Sequence, residues 1–101
     1  MDINELTDAM NAFVTSKGWY EPGSKRPQTL RNLSISLSLE AAEILEHFQW
    51  RDELADKDEF ASELADVTLY LLQLASVSGV DLEQAVLKKL KINATREWDT
   101  E

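Results

Sequence analysis

The sequence contains no cysteine, which excludes a disulfide framework and a thiolate zinc site. Proline and glycine are scarce, with two and three residues. Four of these five, Gly18, Pro22, Gly23 and Pro27, fall in a single stretch with little apolar pattern. That stretch, Gly18 to Gln28, reads as a loop, and its length suggests a functional role. There is also no long hydrophobic run. The most apolar segment, Val67 to Val77, is interrupted by Thr68, Tyr70, Gln73 and Ser76, far short of the roughly 20 apolar residues a membrane span needs. Nothing at the N-terminus reads as a charged and apolar export signal, so a soluble, cytoplasmic protein without a membrane partner is expected. Basic residues are few: ten Lys and Arg face nineteen Asp and Glu, for a formal charge of -9. Nonspecific nucleic-acid binding depends on cations neutralising phosphates, so that class is disfavoured.

At 101 residues the chain is expected to form one domain, spanning 1–101, that buries only about 60 to 65% of its unfolded surface. So thin a core, without disulfides, favours sharing an interface, and a homodimer or homotetramer is expected.

Asp2 and Glu5 have capping-box spacing, and Ile3, Leu6, Met10, Phe13 and Val14 follow with helical period until Gly18. In the next segment Leu33, Ile35, Leu37 and Leu39 alternate with Asn32, Ser34, Ser36 and Ser38, a strand-like period of two. No second strand is available to pair with it, and the pattern continues unbroken into Ala41, Ile44, Leu45 and Phe48. One helix from Leu30 to Trp50 is therefore expected. Asp56 with Glu59 caps a third helix with a seam of Phe60, Leu64, Val67, Leu71 and Leu74. Ser78 and Gly79 end it, and Asp81 with Gln84 opens a fourth. The fold class is all-α, a four-helix bundle. Phe13 and Phe48 read as core, and Trp98 as packing or an oligomer contact.

Acidic residues three apart share a helix face and can chelate a cation together. The spacing alone proves little, because seven such pairs occur in this chain: Asp2/Glu5, Glu5/Asp8, Glu40/Glu43, Glu43/Glu46, Glu53/Asp56, Asp56/Glu59 and Glu63/Asp66. Glu40/Glu43 and Glu63/Asp66 differ from the rest. Each of their carboxylates directly precedes a seam residue, Ala41 and Ile44 in one helix and Leu64 and Val67 in the other. The 19 residues between Glu43 and Glu63 suit an antiparallel hairpin that would set the pairs face to face. The competing reading is a solvated flank on each helix. If the four converge, hard oxygen ligands without His or Cys favour Mg²⁺, or Mn²⁺, over zinc. Glu46 reads as solvent-facing, and His47 as a surface or supporting residue rather than a general acid.

These residues resemble the MazG-like all-α nucleoside triphosphate pyrophosphohydrolases, whose signature is E-x-x-E followed by E-x-x-D on the paired helix. Arg31-Asn32-Leu33, Glu40-Ala41-Ala42-Glu43-Ile44-Leu45-Glu46 and Phe48-Gln49-Trp50 are similar to the dCTP pyrophosphatase branch. Glu63-Leu64-Ala65-Asp66-Val67, Tyr70-Leu71, Val80-Asp81-Leu82, Lys89 and Asn93 continue the likeness, in order, over about 80 residues. The resemblance implies Mg²⁺-dependent cleavage of a (deoxy)nucleoside triphosphate to monophosphate and pyrophosphate, and a house-cleaning role in the nucleotide pool. It makes Glu40, Glu43, Glu63 and Asp66 the metal ligands, with Glu40 or Glu43 orienting or deprotonating the attacking water.

A triphosphate must still overcome the charge of -9. Bound metal would answer half of that problem. Lys88, Lys89, Lys91 and Arg96 place four of the ten basic residues within nine positions, and Lys89, Asn93 and Arg96 share a face. By resemblance Lys89 and Asn93 contact phosphate or sugar, while Arg96 is followed by Glu97 where the family has an aromatic residue. The alternative is a simple preference of cations for a helix C-terminus. Trp19, Trp50 and Tyr70 are candidates to enclose a nucleobase, and ordinary packing is the alternative for the tryptophans. The chain departs from the family in a longer region from Tyr20 to Thr29 and in lacking the usual His before Arg31-Asn32, which leaves base preference open. Two other readings compete with this one. One is an enzyme of the superfamily directed to dUTP or phosphoribosyl-ATP, and the other is a non-catalytic acidic helical module that binds a partner protein.

Overall fold

Three of the expected helix starts close with the same local device. Asp2, Asp56 and Asp81 take extended backbone conformations, and each carboxylate accepts from the backbone N–H three residues on, at Glu5, Glu59 and Gln84 (2.8, 3.0 and 3.1 Å). Each cap satisfies one of the four N–H groups that a helix start leaves unpaired. The computed structural model describes residues 1–97 and has four helices: α1 (Ile3–Ser16), α2 (Leu30–Glu46), α3 (Lys57–Ser78) and α4 (Leu82–Thr95). The protein is all-α, with no strand among the described residues. Among the described residues no helix is long and apolar enough to cross a membrane. Trp98 lies outside the described residues.

Two helices end on glycine for a stated backbone reason. Gly18 and Gly79 sit at φ 72° and 75°, where an L side chain is strained. Beyond each glycine the next N–H reaches back five residues, Trp19 to Val14 O (3.3 Å) and Val80 to Ala75 O (2.8 Å), the Schellman closure.

The strand-like run folds as helix because its serines satisfy themselves locally. Ser34 Oγ donates to Leu30 O and Ser38 Oγ to Ser34 O (2.7 and 3.0 Å), one turn back along α2. Thr29 supplies the cap, accepting from Asn32 N (3.1 Å). The alternation arises because α2 is apolar on two sides. Leu33 is buried at 2% exposure, whereas Ile35 and Leu39, at 46% and 64%, face outward.

α2 ends four residues earlier than the expected Trp50. After Glu46 the chain tightens into successive i to i+3 turns, from His47, Phe48 and Gln49 N–H to Ile44, Leu45 and Glu46 O (3.3, 3.0 and 3.3 Å). The tighter winding turns His47 and Phe48 toward α3, where both rings meet Phe60 edge-on at 5.5 and 6.2 Å. Trp50 is left 87% exposed.

α3 packs against α2 on one side and α1 on the other, while α4 rests mainly on α1. Contacts between α2 and α3 pair rising with falling residue numbers, such as His47 with Phe60 and Gln28 with Gln73, so the two run antiparallel. The core cluster is Met10, Val14 and Leu72, with Ile3, Trp19 and Leu82 packed around it. Two expectations are corrected here. Leu64 and Leu71 of the expected seam are each 44% exposed, and the buried residues of α3 are Leu72, Gln73 and Ala75. Phe13 and Phe48 are also substantially exposed. Phe60, Val67 and Leu74 of that seam are half-buried, so the line follows the edge of the side on which α3 has no neighbour, with Leu64 and Leu71 turned outward.

Candidate active site

The α2–α3 hairpin sets the two acid pairs opposite one another. The Glu40 carboxyl titrates above the ordinary carboxylate range. Removal from water is the largest cause, followed by repulsion from Glu43 and Asp66, a hydrogen bond to Glu43, and repulsion from Glu63. All three other predicted ligands therefore act on Glu40 across two helices. No Lys or Arg is among the groups that act on it. Glu63 is also held from the side, since His47 Nε2 donates to its Oε2 at 2.5 Å, with both side chains largely buried. The four carboxylates are gathered but not closed. Among the described residues no group of three or more His, Asp or Glu side chains is arranged to hold a metal ion.

Asp66 is also the acidic wall of a cleft of about 730 Å³ between α1, α2, α3 and the Gly18–Gln28 loop. Asp66, Tyr70 and Gln73 line it from α3, at i, i+4 and i+7 on one helix face. Met10, Phe13 and Val14 face them from α1, and Leu33 and Asn32 from α2. Trp19 closes one side, its ring edge-on to Phe13 at 5.7 Å. The lining is mostly apolar with a few polar groups, the usual composition of a small-molecule site.

The loop contributes the cleft's cations. Lys25 and Arg26 both line it, and the Arg26 guanidinium lies over the Trp19 ring, 5.7 Å from its centroid. The loop is tied down at several points. Tyr20 Oη donates to Asn11 Oδ1 (2.6 Å), Asn11 Nδ2 donates to Ser76 Oγ (2.9 Å), and Asn32 Nδ2 donates to Pro27 O (3.0 Å).

Of the expected site residues, Glu40, Glu43, Glu63 and Asp66 converge, and Trp19 and Tyr70 line the adjoining cleft. Trp50 does not line it, because the early end of α2 carries it out to solvent. Lys89 and Asn93 on α4, and Arg96 at its C-cap, are not part of the cleft wall either, since α4 rests mainly on α1. Lys25, Arg26, Gln28 and Gln73 were missed. Lys25 and Arg26 carried a usable signal, two adjacent cations in a long loop of an acidic chain. A glutamine inside an apolar helix, Gln73, was another.

The sequence profile of the MazG-like family matches residues 35–101, a span that includes all four carboxylates. Mouse dCTP pyrophosphatase 1 (Mus musculus) is 36% identical over 75 residues, covering 65% of this chain and 44% of the mouse protein. The human (Homo sapiens) protein of the same name is 37% identical over the same coverage. The chain thus spans less than half the length of these curated relatives. A solved pyrophosphatase from Archaeoglobus fulgidus superposes with a TM-score of 0.75 at 36% identity, covering 90% of this chain and 87% of the archaeal one. The fold is therefore that of an all-α pyrophosphatase. On the extent of the profile match, this chain belongs to the MazG-like family.

Proposed function

We propose that the protein hydrolyses nucleoside triphosphates to the monophosphate and pyrophosphate in the cleft beside α3. One observation carries this reading: Asp66 belongs both to the mutually repelling carboxylates and to the cleft wall. A nucleotide lying along the α3 face with its base among Trp19 and Tyr70 has its phosphates at the acids. Glu40, Glu43, Glu63 and Asp66 would hold one or more Mg²⁺ ions, with Mn²⁺ as a substitute. Their all-oxygen donor set and uncompensated repulsion suit a hard divalent cation. When bound there, such an ion would neutralise charge at the phosphates and make water more acidic. Glu40, already a carboxyl that binds protons more readily than most, is placed to take a proton from the attacking water or to orient it. The names of the mammalian relatives favour dCTP or another deoxynucleotide, in a pool-cleaning role.

The reading also has the chain work as a homodimer or homotetramer. Its radius of gyration is 16.5 Å, against about 13 Å for a compact domain of this length. Ile35, Leu39, Leu64 and Leu71 remain open, and α4 buries no residue. In that arrangement Lys89, Asn93 and Arg96 would reach phosphates across an interface. Light scattering giving a monomer mass would count against it.

The test of activity is a screen of canonical and damaged deoxynucleoside triphosphates with Mg²⁺, scoring monophosphate and pyrophosphate together. Equimolar release is expected, and its loss in folded Glu40→Gln and Asp66→Asn variants. Absence of turnover on every nucleotide, with a fold indifferent to Mg²⁺, would leave the acidic interaction module as the better reading.

A further inference from the structure

Gln73 is the one polar side chain among the buried residues of the described part of the chain, at 4% exposure, and it lines the cleft seven residues beyond Asp66. By the helical rise it lies about 10 Å along α3 from the acid cluster. That is the level a nucleobase reaches when its phosphates sit at Asp66.

Its amide orientation is fixed by a chain of hydrogen bonds that begins at a backbone carbonyl. Arg26 O can only accept, so Gln28 must present its Nε2 there, as it does at 2.5 Å. Gln28 then turns Oε1 to Gln73, which must donate from Nε2, at 2.6 Å. Gln73 Oε1 is thereby left as the outward acceptor, with one Nε2 hydrogen beside it. Among the described residues this is the single side-chain hydrogen bond of Gln73. Among the described residues its Oε1 is not one of the sealed side-chain atoms left without a partner, and the cleft is the opening that Gln73 lines. The starting carbonyl is itself held, because Arg26 N donates to Ser24 Oγ (3.0 Å) and its guanidinium rests on Trp19. A free Gln amide reads amino and keto edges alike by flipping. This one cannot flip without setting two acceptors, or two donors, against each other.

We propose that Gln73, oriented by Gln28 and the Arg26 carbonyl, selects nucleotides whose base carries an exocyclic amino group at the edge it meets, cytosine or adenine, over thymine, uracil and guanine. Oε1 accepts from the cytosine N4 or adenine N6 amino group, and the remaining Nε2 hydrogen meets the adjacent ring nitrogen. Thymine and uracil O4 and guanine O6 are acceptors and oppose Oε1. The inference rests on the cleft being a nucleotide site, and it goes beyond that in naming the selector and the base class.

The test is calorimetric titration of the protein in millimolar MgCl₂ with dCMP, dAMP, dTMP and dGMP, which offer no scissile bond, alongside kcat/KM for the four triphosphates with Mg²⁺. The wild type is expected to favour dCMP and dAMP by about tenfold, the scale of one buried hydrogen bond gained or opposed. Gln73→Met should bring that ratio close to one. Gln28→Met, a loop change that leaves α3 untouched, should also collapse it by freeing the Gln73 amide, with dTMP binding gaining relative to dCMP. A Gln73→Met protein that keeps the ratio, or a wild type without one, overturns the proposal while hydrolysis stands. Base-selective binding without hydrolysis removes the catalytic reading and keeps the selector. Failure to bind any nucleotide overturns both.

Discussion

Glu40→Gln should stabilise the metal-free protein and destabilise it relative to wild type when Mg²⁺ is present. Glu40 feels three carboxylates, and its helix neighbour Glu43 lies about 5–6 Å away between Cβ atoms. Two like charges at about 6 Å cost about 0.7 kcal/mol at the dielectric of water and about 2.8 kcal/mol at an effective value near 20. Glu40 is only partly buried, so screening keeps each pair near or below the lower figure. The summed repulsion is then about 1 kcal/mol, or about 4 to 8 °C in melting temperature for a domain of this size. An ion bound only by the folded chain at a hundred times its Kd adds about 2.7 kcal/mol, more than the substitution gains. The order of the two proteins should therefore reverse. The assay is calorimetric melting at neutral pH and low ionic strength, with chelator and then with millimolar MgCl₂, with Glu53→Gln in the exposed α2–α3 connection as a control expected to shift in neither. A Glu40→Gln protein that melts lower than wild type in chelator, or gains as much from Mg²⁺, would show that the four carboxylates are solvated flanks.

The pH dependence follows from the same carboxyl. Because the folded value of Glu40 is raised, the folded state binds its proton more readily than the unfolded one. Its contribution to stability is complete below the ordinary glutamate value of about 4.3 and is lost as pH rises through the raised folded value. Metal-free stability should fall over that window in the wild type, and less in Glu40→Gln; parallel curves in urea titrations would refute the coupling. His47→Ala should weaken Mg²⁺ binding by about tenfold, the usual scale for a partner that orients a ligand, because Glu63 loses the N–H that holds it; unchanged affinity in a Mg²⁺ titration would separate His47 from the site. Leu33→Ala should cost about 3 kcal/mol in urea unfolding, since Leu33 is the most completely buried large side chain; a loss below about 1 kcal/mol would mean that the cleft collapses to fill the space.

The features legible in the sequence were the ones set by near neighbours. The caps at Asp2, Asp56 and Asp81 depend on a residue three positions away, and the glycine closures on one five positions back. What misled was periodicity read without knowing how many neighbours a helix has. The regular line of α3 follows the edge of its open side, with Leu64 and Leu71 exposed and Phe60, Val67 and Leu74 half-buried, and the alternation in α2 marks two apolar faces rather than a strand. The end of α2 was overrun for a different reason. Its stop is a tightening of the backbone after Glu46, with no glycine or proline to announce it. The acid pairs were legible because each adjoined a seam residue, an argument about the helix face that survives errors in which seam is buried. The cleft was not legible, since its walls join residues far apart in sequence, such as Gln28 with Gln73 and Asn11 with Ser76.

The cleft also changes how the excess of negative charge is met. The basic run on α4 was the expected answer, yet within one chain the cations beside the cleft are Lys25 and Arg26 from the loop. One of these is engaged with the Trp19 face, which orders the loop and limits its reach. At the other end three carboxylates repel Glu40, and His47 donates a hydrogen bond to one of them, Glu63. Two cations cannot offset both those carboxylates and an incoming triphosphate, so on the proposed function the phosphates would approach the acids only with a divalent ion between them. The loop cations and the amide pair would then act on the nucleoside end. On the proposed function, metal dependence and base choice would thus fall to different parts of the chain, the first to the α2–α3 hairpin and the second to the loop that crosses α3 at Gln73.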